Sequence, residues 1–198
     1  MKRFFLFLLF SLNFWAFAQI KPIYFAGDVI VSDATRATSY AIYGKLTNED
    51  LWVVKQYDLS NQLISTGSYR DSLLAVPHGV FTYYNDITGF NEVNKTGYIL
   101  KGKTKFIYMK GGYTEGKRTG QWFTFYPDGK VREIICYELG QASGEYKMFD
   151  KRGTVLEIGK YMGGKKDGEW ISSGGKQTNI YKMGKLIATF KNKKNKND

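Results

Sequence analysis

Residues that form covalent cross-links and metal sites are nearly absent from this sequence. Its 198 residues include one cysteine, Cys136, and one histidine, His78. A single cysteine excludes an internal disulfide, and a single histidine excludes the paired-histidine zinc sites of metalloproteases. The many glycines do not form a phosphate-binding loop, because no Gly-x-x-x-x-Gly-Lys-Ser/Thr sequence is present. Packing and backbone pairing must therefore hold the fold together.

Long apolar runs are also absent, except at the N-terminus. Lys2 and Arg3 precede roughly 15 apolar residues that end in Ala16-Phe17-Ala18, an arrangement typical of a secretory signal peptide. The run is short for a membrane helix, which needs about 20 apolar residues. We predict that residues 1–18 are a signal peptide and that the mature protein begins at Gln19, with no membrane span after cleavage. We expect a secreted, periplasmic or outer-membrane-associated protein; an uncleaved N-terminal anchor is the alternative.

Positive charge is concentrated in the second half of the chain. Residues 19–100 carry six basic and eight acidic residues, a net charge of −2, whereas residues 101–198 carry 21 basic and ten acidic residues, a net charge of +11. Basic surfaces attract nucleic acid, anionic lipid or acidic proteins. Because an exported protein rarely meets nucleic acid, we expect an unknown protein partner or an anionic envelope surface, and no nucleic acid.

The basic half contains an internal repeat with a period of 24 residues. Three stretches share one pattern, YTEGKRTGQW at 113–122, YELGQASGEY at 137–146 and YMGGKKDGEW at 161–170. The repeat aromatics are Tyr113, Trp122, Tyr137, Tyr146, Tyr161 and Trp170. The repeat glycines are Gly116, Gly120, Gly140, Gly144, Gly164 and Gly168. A fixed period of this kind is the signature of a repeat architecture.

Each repeat unit alternates two strand patterns with two turn patterns. The segment QWFTFY at 121–126 alternates its faces, PDGK at 127–130 has the composition of a tight turn, and VREIICY at 131–137 is β-branched. Each unit is therefore predicted to be a β-hairpin. Since a lone hairpin is at best marginally stable, we predict an all-β fold, an elongated antiparallel sheet of stacked hairpins.

The regularity of the repeat divides the chain. We assign residues 112–190 to regular repeats and residues 51–111 to degenerate hairpin repeats, in which residues 85–112 lose the register. Residues 19–50 have no assignment. The segment KNKKNKND at 191–198 is predicted to be a basic disordered tail.

The pattern Tyr-x-x-Gly-Lys-x-x-Gly-x-Trp/Tyr resembles the bacterial variant of the MORN repeat (membrane occupation and recognition nexus). With the signal peptide, the arrangement also resembles exported proteins of the toxin-antitoxin system YwqK family antitoxin group. The resemblance is strong over residues 112–190 and weaker back to Leu51, and Tyr146 departs from it by replacing tryptophan. It implies an elongated antiparallel sheet with a binding rather than a catalytic role.

Most repeat residues have a structural interpretation. We predict that Trp122, Tyr146 and Trp170 pack in the core, the alternative being an exposed stripe for a ligand. The repeat glycines are interpreted as backbone turn positions that adopt positive φ. Cys136 is interpreted as a small buried hydrophobe and His78 as a turn residue.

The basic residues of the repeats are the candidate binding site. Lys117, Arg118, Lys165 and Lys166 occupy matching positions two units apart, or about 20 Å along the ribbon at the usual strand spacing. We place them in turns along one edge of the sheet, where such a row would bind an anionic surface. The alternative is a solvated edge whose charge prevents aggregation between sheets.

These features predict an exported, non-enzymatic scaffold that binds a protein or an envelope surface, without catalytic residues, cofactor or metal. An antitoxin-like role conflicts with export unless the neutralised partner is extracytoplasmic. An envelope carbohydrate-active enzyme is the remaining alternative, but none of the acidic residues belongs to a recognisable catalytic motif.

Overall fold

The described residues form a single elongated β-sheet with one short α-helix. The structure, a computed structural model, describes residues 22–27, 29–46, 49–172 and 174–192. The predicted signal peptide and residues 193–198 of the predicted tail lie outside the described residues. Lys191 and Asn192 are ordered, since Lys191 ends the last strand and the Asn192 backbone N–H donates to the Lys176 carbonyl at 2.8 Å.

Fourteen antiparallel strands form the sheet. In chain order they are β1 Ile23–Ala26, β2 Val29–Val31, β3 Ser39–Leu46, β4 Leu51–Asp58, β5 Leu63–Tyr69, β6 Gly79–Asp86, β7 Lys105–Thr114, β8 Lys117–Phe125, β9 Val131–Glu138, β10 Gln141–Phe149, β11 Val155–Met162, β12 Lys165–Ser172, β13 Gln177–Lys182 and β14 Lys185–Lys191. Strands β3 to β14 follow their chain order across the sheet, and β1 lies between β2 and β3. The predicted ribbon of stacked hairpins is confirmed, and the unassigned N-terminal segment contributes strands to it.

Two-residue turns join the strands at one edge of the repeat region. Glu115-Gly116, Leu139-Gly140, Gly163-Gly164 and Met183-Gly184 each have positive φ at both positions. This is the conformation of a type I′ turn, whose twist matches that of the strands it joins. The first repeat glycine of each pair therefore lies in a turn, as predicted.

Each of these turns is bonded to the hairpin before it. The backbone N–H of Gly140 donates to the Arg118 carbonyl at 3.0 Å, and that of Gly164 donates to the Ala142 carbonyl at 2.8 Å. Gly116 and Gly184 make the same bond to Pro77 and Lys166, at 2.8 and 2.7 Å. The turn sequence repeats because every turn uses the same backbone contact to join its neighbour.

The second repeat glycines lie within strands and not in turns, which corrects the prediction for them. Gly120, Gly144 and Gly168 belong to β8, β10 and β12, although they have positive φ. Each stands opposite a tyrosine of the next strand, as Gly144 does opposite Tyr161. The turn occupies only two residues, so the strand has already begun when the chain reaches these glycines.

An α-helix lies in the connection between β6 and β7, which pair directly in the sheet. Helix α1 spans Ile87–Asn94 and is capped by Asp86, whose carboxylate accepts from the Gly89 N–H at 2.6 Å. Ile87 and Phe90 bury against Phe106, and four half-buried residues surround this cluster, Tyr98, Leu100, Tyr108 and Tyr126. The prediction of degenerate hairpins fails here, because residues 87–104 form an insertion with its own small core. Within the part of the chain that the structure describes, no helix is long and apolar enough to cross a membrane.

Candidate functional site

The repeat tryptophans form the core of one sheet face. Trp122 is 1% exposed and Trp170 is fully buried, and Tyr146 between them is 7% exposed. Their indole N–H groups make equivalent bonds, from Trp122 to the Gly112 carbonyl and from Trp170 to the Lys160 carbonyl, both at 3.1 Å. This confirms the prediction of core packing, so these rings are not available as a ligand stripe.

The repeat tyrosines support the tryptophans at their edges. Tyr113 meets the Trp122 ring edge-on at 5.1 Å between centroids, and Tyr161 meets the Trp170 ring at 5.0 Å. Tyr137 contacts Trp122 from the other side at 6.1 Å. Edge-to-face pairs of this kind add stability beyond the area they bury. The tyrosines are half-buried, and their role in the structure is packing.

Two members of the predicted basic edge lie on this aromatic face. The Arg118 guanidinium is 4.3 Å from the Trp122 ring centroid and 5.3 Å from that of Tyr137. The Lys166 ammonium is 3.8 Å from the Trp170 centroid and donates to the Glu157 carboxylate at 2.9 Å. Both residues belong to strands and are half-buried. The repeat pattern predicted them in exposed turns, and this placement is corrected.

The other two members of the predicted edge are exposed. Lys117 and Lys165 open β8 and β12, and their side chains pass beside the turn glycines Gly140 and Gly184. Neither has an acidic side chain within salt-bridge distance among the described residues. The predicted row of four free charges is therefore reduced to two. Successive residues of a strand point to opposite faces, so Arg118 and Lys166 point to the tryptophan face and the lysine before each of them does not.

The middle repeat has no cation at the position equivalent to Arg118 and Lys166. Ala142 occupies this position, and no cation of the described residues lies over the Tyr146 ring. Burial and then the neighbouring carboxylate of Glu133 raise the pKa of the Tyr146 hydroxyl. Among the three regular repeats, a cation thus covers the core ring in the two that carry tryptophan.

The opposite face of the sheet carries an apolar row. Phe123 pairs with Ile134, Lys147 follows on β10, and Ile158 pairs with Ile171. We call Phe123, Ile134, Ile158 and Ile171 the apolar row; all four are half-buried. Phe123 directly follows the core residue Trp122, so the row faces away from the tryptophans. No helix or second sheet among the described elements packs over it.

Charges of both signs accompany the apolar row. Glu145 and Lys160 pair across β10 and β11, and Glu169 lies on β12 two residues from Ile171. All three are exposed. The Lys147 ammonium lies 3.3 Å from the Glu145 carboxylate. The sequence contained a signal for this surface that the prediction did not use, since Ile134 and Ile158 are 24 residues apart.

Metal-ligand and nucleophilic side chains of the histidine and cysteine type are few in this sequence. The described residues include no group of three or more histidine, cysteine, aspartate or glutamate side chains placed to hold a metal ion. His78 lies 3.2 Å from the Glu115 carboxylate, beside the turn that Glu115 opens. Cys136 is a free, half-buried thiol on β9. Two surfaces of the repeat region are candidates for binding, the apolar row and the exposed lysines beside the turns.

One family comparison gives a match. Residues 118–139 match the MORN repeat variant, a segment that comprises β8, the turn after it and β9. The matched segment is one 24-residue repeat unit less two residues, and it contains Arg118 and Trp122. No curated protein shows a significant match to the chain. The match and the ribbon fold together support a MORN-variant repeat protein, for which a binding or scaffold role is the expected one.

Proposed function

We propose that this protein is an exported, non-enzymatic scaffold that uses the apolar row to dock a partner protein. The observation that carries the proposal is the uncovered row itself. Phe123, Ile134, Ile158 and Ile171 lie on neighbouring or nearly neighbouring strands, with Phe190 continuing the line at 56% exposure on β14. An apolar surface that the described part of the chain leaves uncovered is typical of an interaction site.

The dimensions of this surface suit a protein interface. The paired residues run from Lys110 on β7 to Phe190 on β14. Eight strands spaced by about 4.8 Å extend over roughly 34 Å. A stable protein interface buries about 800 Å² on each partner, which a strip of this length and a few side chains in width can supply.

The charges beside the row favour a protein partner over an anionic envelope surface. Glu145 and Glu169 are exposed on the same face as Lys147 and Lys160, so this face lacks the uniform positive charge that an anionic membrane would attract. A protein surface can instead place opposite charges against Glu145, Lys160 and Glu169, which fixes the orientation of the partner. An antitoxin-like role is a special case of this proposal, with an extracytoplasmic protein as the partner.

Export rests on the N-terminal sequence alone. Cleavage after Ala18 gives a mature chain that begins at Gln19. Intact-mass measurement of the protein from its native host tests this, because retention of residues 1–18 excludes cleavage.

The docking proposal is tested by affinity capture with two variants, each of which carries two substitutions to glutamate. The row variant Ile134→Glu/Ile158→Glu places two carboxylates in the apolar row, and the edge variant Lys117→Glu/Lys165→Glu alters the exposed turn lysines. The bait is the mature chain, incubated with an envelope fraction of the native host, and the captured proteins are identified by mass spectrometry. We expect a partner that the wild-type and edge-variant chains retain and the row variant loses.

A partner lost from the edge variant but retained by the row variant would assign binding to the turn lysines instead. Circular dichroism on both variants shows whether the sheet persists. Should the row variant unfold, Phe190→Glu alters an exposed member of the same face and replaces it in the assay.

A further inference from the structure

A groove of about 720 Å³ lies where the insertion meets the sheet. One wall is the loop after α1, from Ile99 to Lys103, and the other is the turn after β8, from Pro127 to Gly129. The first residues of β7 and the end of β8 form the floor. The volume falls within the range of small-molecule binding sites, about 300–1,000 Å³.

The groove offers an apolar lining. Phe106 is 7% exposed at its base, while Ile107 is 43% exposed and Ile99, on the loop, is 92% exposed. Phe125 and Pro127 line the opposite side. Apolar side chains at this exposure lose contact with water when an apolar ligand covers them, which favours binding.

Four lysines line the same groove. Lys105 is neutralised by Asp58, with 2.8 Å between its ammonium and the carboxylate. Lys101, Lys103 and Lys110 have no acidic side chain within salt-bridge distance among the described residues. Asp128 is the acidic residue of the lining, and its carboxylate lies 3.3 Å from the Lys130 ammonium. Positive charge therefore predominates along the groove.

We propose that this groove binds an anionic amphiphile, a molecule with one acyl chain and a phosphate or carboxylate head. The apolar lining accounts for the chain, and Lys101, Lys103 and Lys110 account for the head. A small inorganic anion would leave the apolar surface uncovered, and a neutral lipid would leave the lysines without a partner. The groove lies between the insertion and the repeat turn after β8, and it contains none of the four residues of the apolar row, so the two sites can be tested separately.

Isothermal titration calorimetry on the mature chain tests this proposal with four probes. Dodecyl phosphate and dodecanoate share a chain and carry different anionic heads; dodecyl maltoside has the same chain with a neutral head; inorganic phosphate has no chain. All amphiphiles are kept below their micelle-forming concentrations. We expect one anionic amphiphile per chain, bound at least roughly tenfold more tightly than dodecyl maltoside. Inorganic phosphate should not bind in the same concentration range.

Matched variants locate the site. Lys101→Glu/Lys103→Glu reverses two charges at the groove, and Lys182→Glu/Lys185→Glu reverses two at the β13–β14 turn, which lies outside the groove lining. We expect the first to weaken dodecyl phosphate binding roughly tenfold or more and the second to leave it unchanged. Ile107→Asn should weaken dodecyl phosphate and dodecyl maltoside alike, because it removes part of the chain-binding surface.

Three results would overturn the proposal. They are equal affinity for dodecyl phosphate and dodecyl maltoside, binding that survives Lys101→Glu/Lys103→Glu, and equal weakening by the two charge-reversal variants. Binding of only one of the two anionic amphiphiles would support the site and identify its preferred head group. Neither variant alters the apolar row, so a failure here leaves the docking proposal untouched.

Discussion

The indole ring of Trp122 lies in the space that a side chain at Gly111 would occupy. A Cβ atom built on Gly111 overlaps three atoms of the ring, and Gly159 and Trp170 show the same relationship. Glycine usually weakens a strand because it adds chain entropy and packs no side chain. Here its bare backbone lets the ring lie flat on the sheet, which buries the tryptophan completely.

Adding one methyl group at this position should therefore destabilise the protein. We expect Gly111→Ala to lower the free energy of unfolding by about 1–3 kcal/mol, the usual cost of overpacking a core. Gly44→Ala is the matched control, because Gly44 also lies in a strand, in β3, and a Cβ there has no atom within 4 Å. The control should be neutral or slightly stabilising. Urea denaturation measures both, and equal stabilities would contradict the packing assigned to Trp122.

In the middle repeat, both the strand glycine and the tryptophan that lies over it are replaced. Ile135 stands where the neighbouring repeats have Gly111 and Gly159, and it pairs with Tyr146, which replaces tryptophan. The Ile135 side chain occupies the space that an indole ring at position 146 would need. The departure of Tyr146 from the repeat pattern thus has a steric cause in its neighbour.

This relationship predicts coupling between the two positions. Tyr146→Trp alone should destabilise the sheet by overpacking against Ile135, and Ile135→Gly alone should destabilise it by removing a packed side chain. Combined, the two changes recreate the arrangement of the outer repeats, so we expect a favourable interaction energy of about 1 kcal/mol or more. A double-mutant cycle from urea denaturation measures it. Simple additivity would contradict the steric explanation.

The sequence predicted the repeat region well because one period specifies strands, turns and ring positions at once. The helix could not be predicted in this way. The residues of α1, ITGFNEVN, include glycine, threonine and two asparagines, which are poor helix formers. Burial of Ile87 and Phe90 and the cap at Asp86 hold the helix, and these are tertiary contacts that no local pattern reveals.

The basic edge was misplaced for a more local reason. The segment EGKRTG contains two plausible two-residue turns, and the sequence alone does not distinguish them. The chain turns at Glu115-Gly116, so Lys117 already belongs to β8 and Arg118 points to the tryptophan face. A shift of one or two residues in the turn decides whether a cation is free in solvent or packed on a ring.

Arg118 and Lys117 should accordingly differ in their effect on stability. Arg118→Ala removes a cation from the faces of Trp122 and Tyr137 and a 3.2 Å hydrogen bond from its guanidinium to the Tyr137 hydroxyl oxygen. We expect a loss of about 1–2 kcal/mol. Lys117→Ala, at an exposed position, should stay within about 0.5 kcal/mol of wild type.

Thermal unfolding followed by circular dichroism compares these two variants. For a domain of this size, a loss of 1 kcal/mol lowers the melting temperature by about 2–4 °C. Equal melting temperatures would show that the stacked guanidinium adds nothing. A binding test of the turn lysines should therefore alter Lys117 and Lys165 and leave Arg118 and Lys166 in place.

The type I′ turns offer a stabilising substitution. Leu139 has a φ of 50°, a left-handed conformation that is strained for a branched apolar residue, and it is 74% exposed. Asparagine adopts this conformation more readily, and Asn-Gly is the preferred pair in such turns. Because Leu139 makes few contacts to lose, we expect Leu139→Asn to raise the free energy of unfolding by about 0.5–1 kcal/mol. Leu59→Asn is the control, since Leu59 is 59% exposed in a turn and its φ is not left-handed. That variant should be neutral in urea denaturation, and an equal response from both positions would mean that the backbone of the β9–β10 turn is not strained.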